Sequence, residues 1–413
     1  MQKKIFLVAV FLIAAAFILN ACKKSSIILK NDQVRECTLT FWHWDTGHEE
    51  FYEKIASEYE KEHDGVKINI RLVPYETYTE EWFKAAEEGE TADVFAIPPE
   101  SLAEFIDSKK LEALTYADLI PAGSEEEFLI NRPGKEKTYA LPAAGSLPVI
   151  FYNKDIYEQN QLVIPETLSD FVTNCAILKQ SSCQPFAMSL TEGGLFDTFD
   201  FTAGILANGK SPNGKKSEKQ DFKKLLDKNT GYYDLLGVAM ELSLDKENCV
   251  KGHQALLENF AQNKYAMICG TTEDIDVLNE CMPSSFGWFA LPGEDYTKAG
   301  VWKANHMYGA AKKGKSVREA KKFLSYFLTQ KNQQAFSSEF GMLPAVRGIK
   351  PDDKEIMQAY QLVSEKKEVY FPFFQSMSQE DRTLCARNLD LIFSGKVTDP
   401  EGFLTEWIKK LKN

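Results

Sequence analysis

Every second residue is apolar between residues 66 and 72 (VKINIRL). A period of two predicts a strand with one buried face and one solvated face. Residues 38–44 (TLTFWHW) are β-branched and aromatic and predict an earlier strand. Residues 92–97 (ADVFAI) predict a short buried strand that follows.

Helical segments are predicted between and after these strands. Residues 49–63 carry apolar side chains three or four positions apart, which is the spacing of one helix face. Helices are also predicted over residues 77–88 and 100–108. Strands that alternate with helices predict a parallel sheet with crossover helices, and therefore an α/β fold.

The rest of the chain continues this mixture, and no repeat of fixed length is evident. Residues 142–153 (PAAGSLPVIFYN) predict a small-residue turn that leads into a strand. Residues 317–336 predict one long amphipathic helix, and Asp399 and Pro400 predict the start of a C-terminal helix. Further strands are predicted at 264–269, 286–291 and 306–311, and further helices at 164–180, 193–208, 232–244 and 255–263.

The N-terminus has the pattern of an export signal. Two lysines precede an unbroken apolar run over residues 5–19, which is shorter than the roughly 20 residues that span a bilayer. The next residues, Leu-Asn-Ala-Cys, resemble a bacterial lipobox. That resemblance implies a lipoprotein signal peptide at 1–21, a diacylglyceryl group on the Cys22 thiol and a lipid-anchored tether at 22–36. A permanent N-terminal anchor helix is the alternative.

Composition and charge narrow the function classes. The chain has 413 residues, of which 44% are hydrophobic and 26% charged, so it can bury a core, and its length favours two domains. Its net charge is −12, and loss of the two lysines of the predicted signal takes it to about −14. A surface this acidic repels phosphate, so we expect no nucleic-acid partner.

Seven cysteines besides Cys22 are scattered along the chain, at 37, 175, 183, 249, 269, 281 and 385. Export permits disulfides, and the spacing leaves their connectivity open. There is no CxxC pair, P-loop or GxGxxG motif, and we expect most of these thiols to be small buried apolar groups. No cofactor is predicted.

Five segments resemble, in order, the extracytoplasmic sugar-binding proteins of ABC importers, of the maltodextrin-binding-like family. The likeness extends over about residues 38–395. The segments are TLTFWHWDTGHEEFYEKIASEYEKEHDGVKINI, TADVFAIPPESLAEFIDSKKLEAL, YALPAAGSLPVIFYNKDIYEQNQL, ALLENFAQNKYAMICGT and AKKFLSYFLTQKNQQAFSSEFGMLPA.

This resemblance implies a two-lobe periplasmic-binding-protein fold of type II, with a hinge of crossing strands and a ligand cleft between the lobes. The first lobe is expected at 37–145 plus 284–338, and the second at 146–283 plus 339–413. It implies a monomeric receptor outside the cytoplasm, anchored in the periplasm or on the cell surface. The receptor closes over a carbohydrate and passes it unaltered to an ABC permease, so no enzyme activity is expected.

Ligands of α/β folds bind beyond the carboxyl ends of strands, which gives candidates in the first lobe. Sugars need aromatic rings for their C–H faces and carboxylates or amides for their hydroxyls. Trp44, Asp45 and Thr46 follow the first strand, while Trp42 is expected in the core. The resemblance places an acidic ligand residue at Glu100.

The remaining candidates come from the second lobe and from the segments that cross between the lobes. Ser146 stands where some members of the family have a glutamate, and Thr272 stands where many have a sugar-stacking tryptophan. The other candidates are Glu192, Phe196, Trp302, Asn305, His306 and Arg382.

Acidic candidates outnumber the single arginine, which favours a neutral polyol or a cation over an anion. A cationic ligand such as a polyamine therefore remains an alternative within the same receptor fold. A lipid-anchored glycoside hydrolase with paired carboxylates is an alternative of another class. A metal-binding lipoprotein is a third, with His43, Asp45, His48, Glu49 and Glu50 as its ligands.

Overall fold

The structure is a computed structural model that describes residues 36–119, 137–189, 252–290, 302–364 and 396–410, with single helical positions between 384 and 392. Several predicted features lie outside the described residues: the signal segment with Cys22, nearly all of the predicted tether, the helices predicted at 193–208 and 232–244, and the candidates Glu192, Phe196 and Arg382. Within the described part, no helix combines the length and the apolar character needed to cross a bilayer.

Strands and helices are numbered here in chain order among the described residues. The strands are β1 Cys37–His43, β2 Val66–Leu72, β3 Val94–Ile97, β4 Leu114–Thr115, β5 Lys137–Thr138, β6 Leu141–Ser146, β7 Pro148–Asn153, β8 Phe186–Ala187, β9 Met267–Thr271, β10 Phe286–Phe289, β11 Lys303–Ala310 and β12 Leu343–Pro344. The helices are α1 Glu49–Glu62, α2 Tyr75–Glu88, α3 Leu102–Asp107, α4 Tyr116–Leu119, α5 Lys154–Gln159, α6 Leu168–Gln180, α7 His253–Ala261, α8 Ile275–Cys281, α9 Val317–Tyr326, α10 Gln330–Phe340, α11 Lys354–Ser364 and α12 Pro400–Lys410. Short 3₁₀ turns follow β3 at Pro99–Ser101 and β9 at Thr272–Asp274.

The first sheet has six strands in the order β12–β6–β11–β3–β1–β2. β1 pairs in parallel with both β2 and β3, and α1 and α2 are the crossover helices, so the predicted parallel arrangement is confirmed. β11 runs antiparallel to β3 and to β6 and brings a later part of the chain into the middle of this sheet.

The second sheet has four strands in the order β10–β7–β9–β8. β7 is antiparallel to β10 and β9, while β8 and β9 are parallel. β6 ends in the first sheet at Ser146 and β7 begins in the second sheet at Pro148, so the chain passes between the sheets at Leu147 alone. Residues 142–153 were predicted as a turn before one strand and in fact form two strands.

Two predicted lobe boundaries need correction. Phe286–Phe289 was assigned to the first lobe but pairs with β7 in the second sheet, so the return lies between residues 290 and 302. Leu343–Pro344 was assigned to the second lobe but pairs with β6 in the first sheet. Both boundaries were placed too early in the chain. The position of a lobe boundary depends on which sheet a short strand joins, and the sequence of the strand does not show that.

The helix predicted over residues 317–336 is two helices, α9 and α10. Thr329 has φ −63° and ψ 148°, an extended conformation that ends the helical path before α10 begins. Side chains of α10 then satisfy the last carbonyls of the preceding segment: Asn332 Nδ2 donates to Tyr326 O at 2.7 Å and Gln333 Nε2 donates to Phe327 O at 2.9 Å. An apolar period continues across such a break, so the period alone does not reveal it.

The core of the first lobe is aromatic. Phe41 on β1 lies 5.7 Å from Phe323 and 6.0 Å from Phe327 between ring centroids, which packs the sheet against α9. Trp42 is buried on the other face, as predicted, with the Arg71 guanidinium 4.1 Å from its ring. The Tyr78 hydroxyl donates to the Ala96 carbonyl at 2.8 Å and so ties α2 to β3.

Five cysteines are described: Cys37, Cys175, Cys183, Cys269 and Cys281. Cys175 and Cys269 are buried, as expected for small apolar groups, while Cys281 is exposed. Burial raises the pKa of the Cys175 thiol to about 12, so this thiol stays protonated at neutral pH.

Gln333 is a fully buried amide that joins three segments of the first lobe. Its Nε2 donates to Ala143 O on β6 at 2.8 Å, and its Oε1 accepts from Ala345 N at 2.7 Å and from Val346 N at 3.1 Å. We predict that Gln333→Ala lowers the free energy of unfolding by about 3 kcal/mol, because buried backbone groups lose their partners. The half-buried Gln334 on the same helix is the matched control.

Urea unfolding of both variants is the measurement. Gln334→Ala is expected to change the free energy of unfolding by less than about 0.5 kcal/mol. Similar losses in the two variants would contradict the structural role assigned to Gln333.

Candidate functional site

Most of the predicted first-lobe residues converge on one edge of the first sheet. β1, β3 and β6 run in the same direction, and their carboxyl ends lie at this edge. β11 is antiparallel to them and begins here with Lys303. Because of this topology, residues 44–46, 98–101, 146 and 302–306 are neighbours although they are far apart in sequence.

Asp45 lies half-buried just beyond β1. His48 Nδ1 is 3.0 Å from both carboxylate oxygens of Asp45. The His48 ring also lies 4.4 Å from that of Phe340, at the end of α10. Asp45 does not cap α1, which has His48 at its N-cap position and no side-chain capping bond. Its carboxylate is therefore held from one side by a histidine and keeps acceptor capacity for a further donor.

Trp44 offers an aromatic surface at the same edge. The ring is half-buried and meets Tyr78 edge-on at 4.8 Å and Tyr75 at 5.5 Å. Tyr75 is 48% exposed at the start of α2. Sequence reasoning missed it because it lies before the helix predicted at 77–88 and follows no predicted strand directly. Thr46 is exposed beside Asp45.

Behind this surface, His43 is buried and His306 is half-buried. His43 lies 4.1 Å from the Tyr52 ring, and neither of its ring nitrogens has a hydrogen-bond partner. His306 Nδ1 is 3.3 Å from the Tyr52 hydroxyl, which is itself 3.0 Å from that of Tyr308. Loss of hydration lowers the pKa of each histidine to about 4, and the nearby Asp45 charge opposes this only in part.

Asn305 connects the first sheet to the second. Its Nδ2 donates to Ser146 Oγ at 2.8 Å and also to Glu273 Oε1. Glu273 follows β9 of the second sheet, and Thr271 Oγ1 donates to the same carboxylate oxygen at 3.3 Å. Asn305 Oδ1 is buried and has no hydrogen-bond partner. Glu273 is a second residue that sequence reasoning missed, since it follows a strand but no apolar pattern distinguishes it from a helix-start glutamate.

Three of the predicted ligand residues have buried side chains. Trp302 is fully buried, and its ring lies where a Cβ on Gly145 would be 2.5 Å away, so it is a core residue. Ser146 and Thr272 are also buried, and their hydroxyls accept from Asn305 and from the Leu147 amide. Asn305 and His306 lie within β11 and not before it.

Comparison with known families identifies the chain. The model of the bacterial extracellular solute-binding proteins matches residues 45–334. The chain belongs to this family. It is a family of binding proteins that act outside the cytoplasm, and the glycoside hydrolase alternative is accordingly set aside.

This solute-binding protein is similar to proteins of several bacteria. It is 24% identical over 388 residues to the multiple sugar-binding protein of Streptococcus mutans, and the aligned region covers 88% of each chain. A structure of a Bacillus subtilis binding protein in an open conformation has a TM-score of 0.70, 16% identity and coverage of 92% and 97% of the two chains. The solute-binding protein RafE of Streptococcus pneumoniae, solved with raffinose, has a TM-score of 0.64, 20% identity and coverage of 90% and 98%. These structures establish the type II two-lobe fold.

Several predicted residues of the solute-binding protein stay predictions. Glu192, Phe196 and Arg382 lie outside the described residues. Glu100 lies in the 3₁₀ turn after β3, at the same edge of the sheet as Trp44 and Asp45, and only its backbone is described. No group of three or more His, Cys, Asp or Glu side chains among the described residues is placed to hold a metal ion. Of the suggested metal ligands, His43 packs against the Tyr52 ring at 4.1 Å between centroids.

The buried His43 makes stability depend on pH. The pKa of His43 is about 4 in the folded protein against 6.5 ordinarily, so between these values only the unfolded chain takes up the proton. Folding stability contributed by the neutral ring is complete above pH 6.5 and declines as the pH falls toward 4. We predict that His43→Phe reduces the loss of unfolding free energy between pH 6.5 and 5 by about 1–2 kcal/mol.

Urea unfolding at several pH values is the measurement. Above pH 7.5 the ring is neutral in both states, so the difference between the two proteins should there become independent of pH. A variant that loses as much stability as the native protein between pH 6.5 and 5 would show that His43 is not the group responsible.

Proposed function

We propose that this solute-binding protein captures a sugar or oligosaccharide outside the cytoplasm and delivers it to the permease of an ABC importer. The observation that carries the proposal is the site at the crossover between the sheets, where an aromatic surface lies beside carboxylates and amides. Similarity to proteins named for sugar binding supports the same ligand class.

The chemistry of the edge suits a hydroxyl-rich guest. Trp44 and the exposed Tyr75 give apolar ring faces for the C–H face of a sugar ring, while Asp45 accepts hydrogen bonds from hydroxyls. Three or four hydrogen bonds to charged groups contribute about 1.5–3 kcal/mol each, which is enough for micromolar binding after the entropy of association is subtracted. The acidic groups also suit a cation, which keeps a polyamine as the second candidate ligand.

Binding would be coupled to closure at the crossover. The two sheets are joined by strands that pass between them, with Leu147 as the single residue between β6 and β7. A ligand that contacts both lobes favours the closed arrangement because it binds that arrangement more tightly than the open one. The chemistry needs no bond to be made or broken in the ligand, and the protein is proposed to act as a monomer.

The ligand class is tested by the thermal stability of the full chain with raffinose, other oligosaccharides, monosaccharides, amino acids and polyamines. We predict that an oligosaccharide raises the melting temperature through preferential binding to the folded state. We further predict that Asp45→Asn weakens binding of that sugar about ten- to a hundredfold, since a charge-assisted hydrogen bond is lost.

Asp352→Asn is the matched control, because Asp352 is an exposed carboxylate in the segment between β12 and α11. Calorimetric titration of both variants gives the dissociation constants. A melting temperature that responds to polyamines alone would overturn the sugar assignment and leave the receptor fold untouched. Equal affinity in the Asp45 variant would remove Asp45 from the site.

We also propose that Cys22 carries the lipid that holds the receptor at the membrane, with residues 22–36 as the tether. Two or more acyl chains are needed for stable anchoring, and a lipobox cysteine receives them. We predict that Cys22→Ser abolishes incorporation of labelled palmitate in the producing bacterium, whereas Cys281→Ser, an exposed thiol, retains it. Palmitate incorporation into the Cys22 variant equal to the native level would contradict this anchor.

A further inference from the structure

A hydrogen-bonded bridge crosses between the two lobes beside the strand crossover. Asn305 lies on β11 of the first sheet, and Glu273 follows β9 of the second. The Asn305 amide nitrogen donates both to the Glu273 carboxylate and to Ser146 Oγ, the latter at 2.8 Å. The bridge therefore joins an element of the first sheet to an element of the second.

The carboxylate decides which way the Asn305 amide faces. A carboxylate only accepts hydrogen bonds, so the Asn305 NH₂ group must point toward Glu273 and Ser146. The carbonyl then points in the remaining direction, where Oδ1 is buried and has no partner. A buried acceptor without a donor is unfavourable, and an arriving donor relieves that penalty.

The surroundings keep the bridge in place. Glu273 is half-buried, and Thr271 Oγ1 donates to the same oxygen at 3.3 Å. The neighbouring Thr272 is fixed to Leu147 by two hydrogen bonds, with Leu147 N to Thr272 Oγ1 at 3.1 Å and Thr272 N to Leu147 O at 3.0 Å. Glu273 is therefore attached to the point where the chain passes between the lobes.

We propose that Glu273 is a positioning residue that holds the Asn305 amide so that Asn305 Oδ1 accepts a hydrogen bond from a ligand hydroxyl. The proposal rests on the proposed sugar-binding function. In this arrangement the ligand hydroxyl is the hydrogen-bond donor that Asn305 Oδ1 lacks. Because the bridge spans both lobes, occupancy of the site is linked to one arrangement of the lobes. The site then discriminates in favour of ligands that present a hydroxyl hydrogen here and against analogues that lack it.

The test is calorimetric titration of the full chain with raffinose. Glu273→Ala is expected to weaken binding about tenfold, whereas Glu273→Gln, which keeps an oxygen toward Asn305, restores binding to near the native value. Because Glu273 acts through Asn305, the double variant Glu273→Ala/Asn305→Ala should bind no more weakly than Asn305→Ala alone. Glu280→Ala is the control, since Glu280 is an exposed carboxylate in the same lobe.

The outcomes separate this inference from the proposed function. Native affinity in Glu273→Ala, or additive losses in the double variant, would overturn the positioning role while sugar binding stands. A native chain that does not bind raffinose counts against raffinose as the ligand. The inference is then decided by the unfolding free energies of the native chain, Glu273→Ala, Asn305→Ala and the double variant. Those energies should be non-additive for Glu273 and Asn305, and additive values would overturn the bridge.

Discussion

Two reciprocal hydrogen bonds between Leu147 and Thr272 fix the place where the chain leaves one sheet for the other. Leu147 N donates to Thr272 Oγ1 and Thr272 N donates to Leu147 O, at 3.1 and 3.0 Å. Only Leu147 lies between β6 and β7, so its backbone is held by the strands on both sides. Its buried N–H and C=O groups therefore need hydrogen-bond partners close by. Because these bonds join β6–β7 to the end of β9, the second sheet is aligned with the first, and the site at their junction follows from that alignment.

The same constraint accounts for the polar groups around the junction. Ser146 and Thr272 are buried, yet each hydroxyl has a protein partner, as a buried hydroxyl requires. His43 differs, since both of its nitrogens lack a partner and its neutral form is retained by desolvation. The first lobe thus has a wall of aromatic rings behind the site and a polar layer toward the second lobe. A ligand bound between them, as proposed, would meet groups that are already oriented.

Sequence patterns predicted the parallel half of the first sheet because the evidence is local: β2 and α1 each carry an apolar period, and β1 is rich in β-branched and aromatic residues. The strand β6 was missed, since its small residues are buried on both faces and show no alternation. The lobe boundary at residues 145 and 146 came from the family resemblance and not from such a pattern. The break before α10 was missed because the apolar stripe continues through it. Trp302 was assigned to the ligand site by its position before a strand, whereas its burial depends on contact with Gly145, 157 residues earlier in the chain. Long-range packing of this kind leaves no local signal.

The two departures from the family pattern acquire a physical meaning from the position of these residues. A glutamate in place of the buried Ser146 would put a second carboxylate beside Asn305 Nδ2, which already donates to Glu273. A tryptophan in place of Thr272 would remove the hydroxyl that accepts from Leu147 N. Ser146 and Thr272 are therefore compatible with Glu273, the acidic residue that directly follows Thr272: Ser146 shares the Asn305 amide with it, and Thr272 bonds to Leu147. In this protein the residues that differ from the family pattern contact the hinge, and the aromatic and acidic groups that can meet a sugar stand beside them on Trp44, Asp45 and Tyr75.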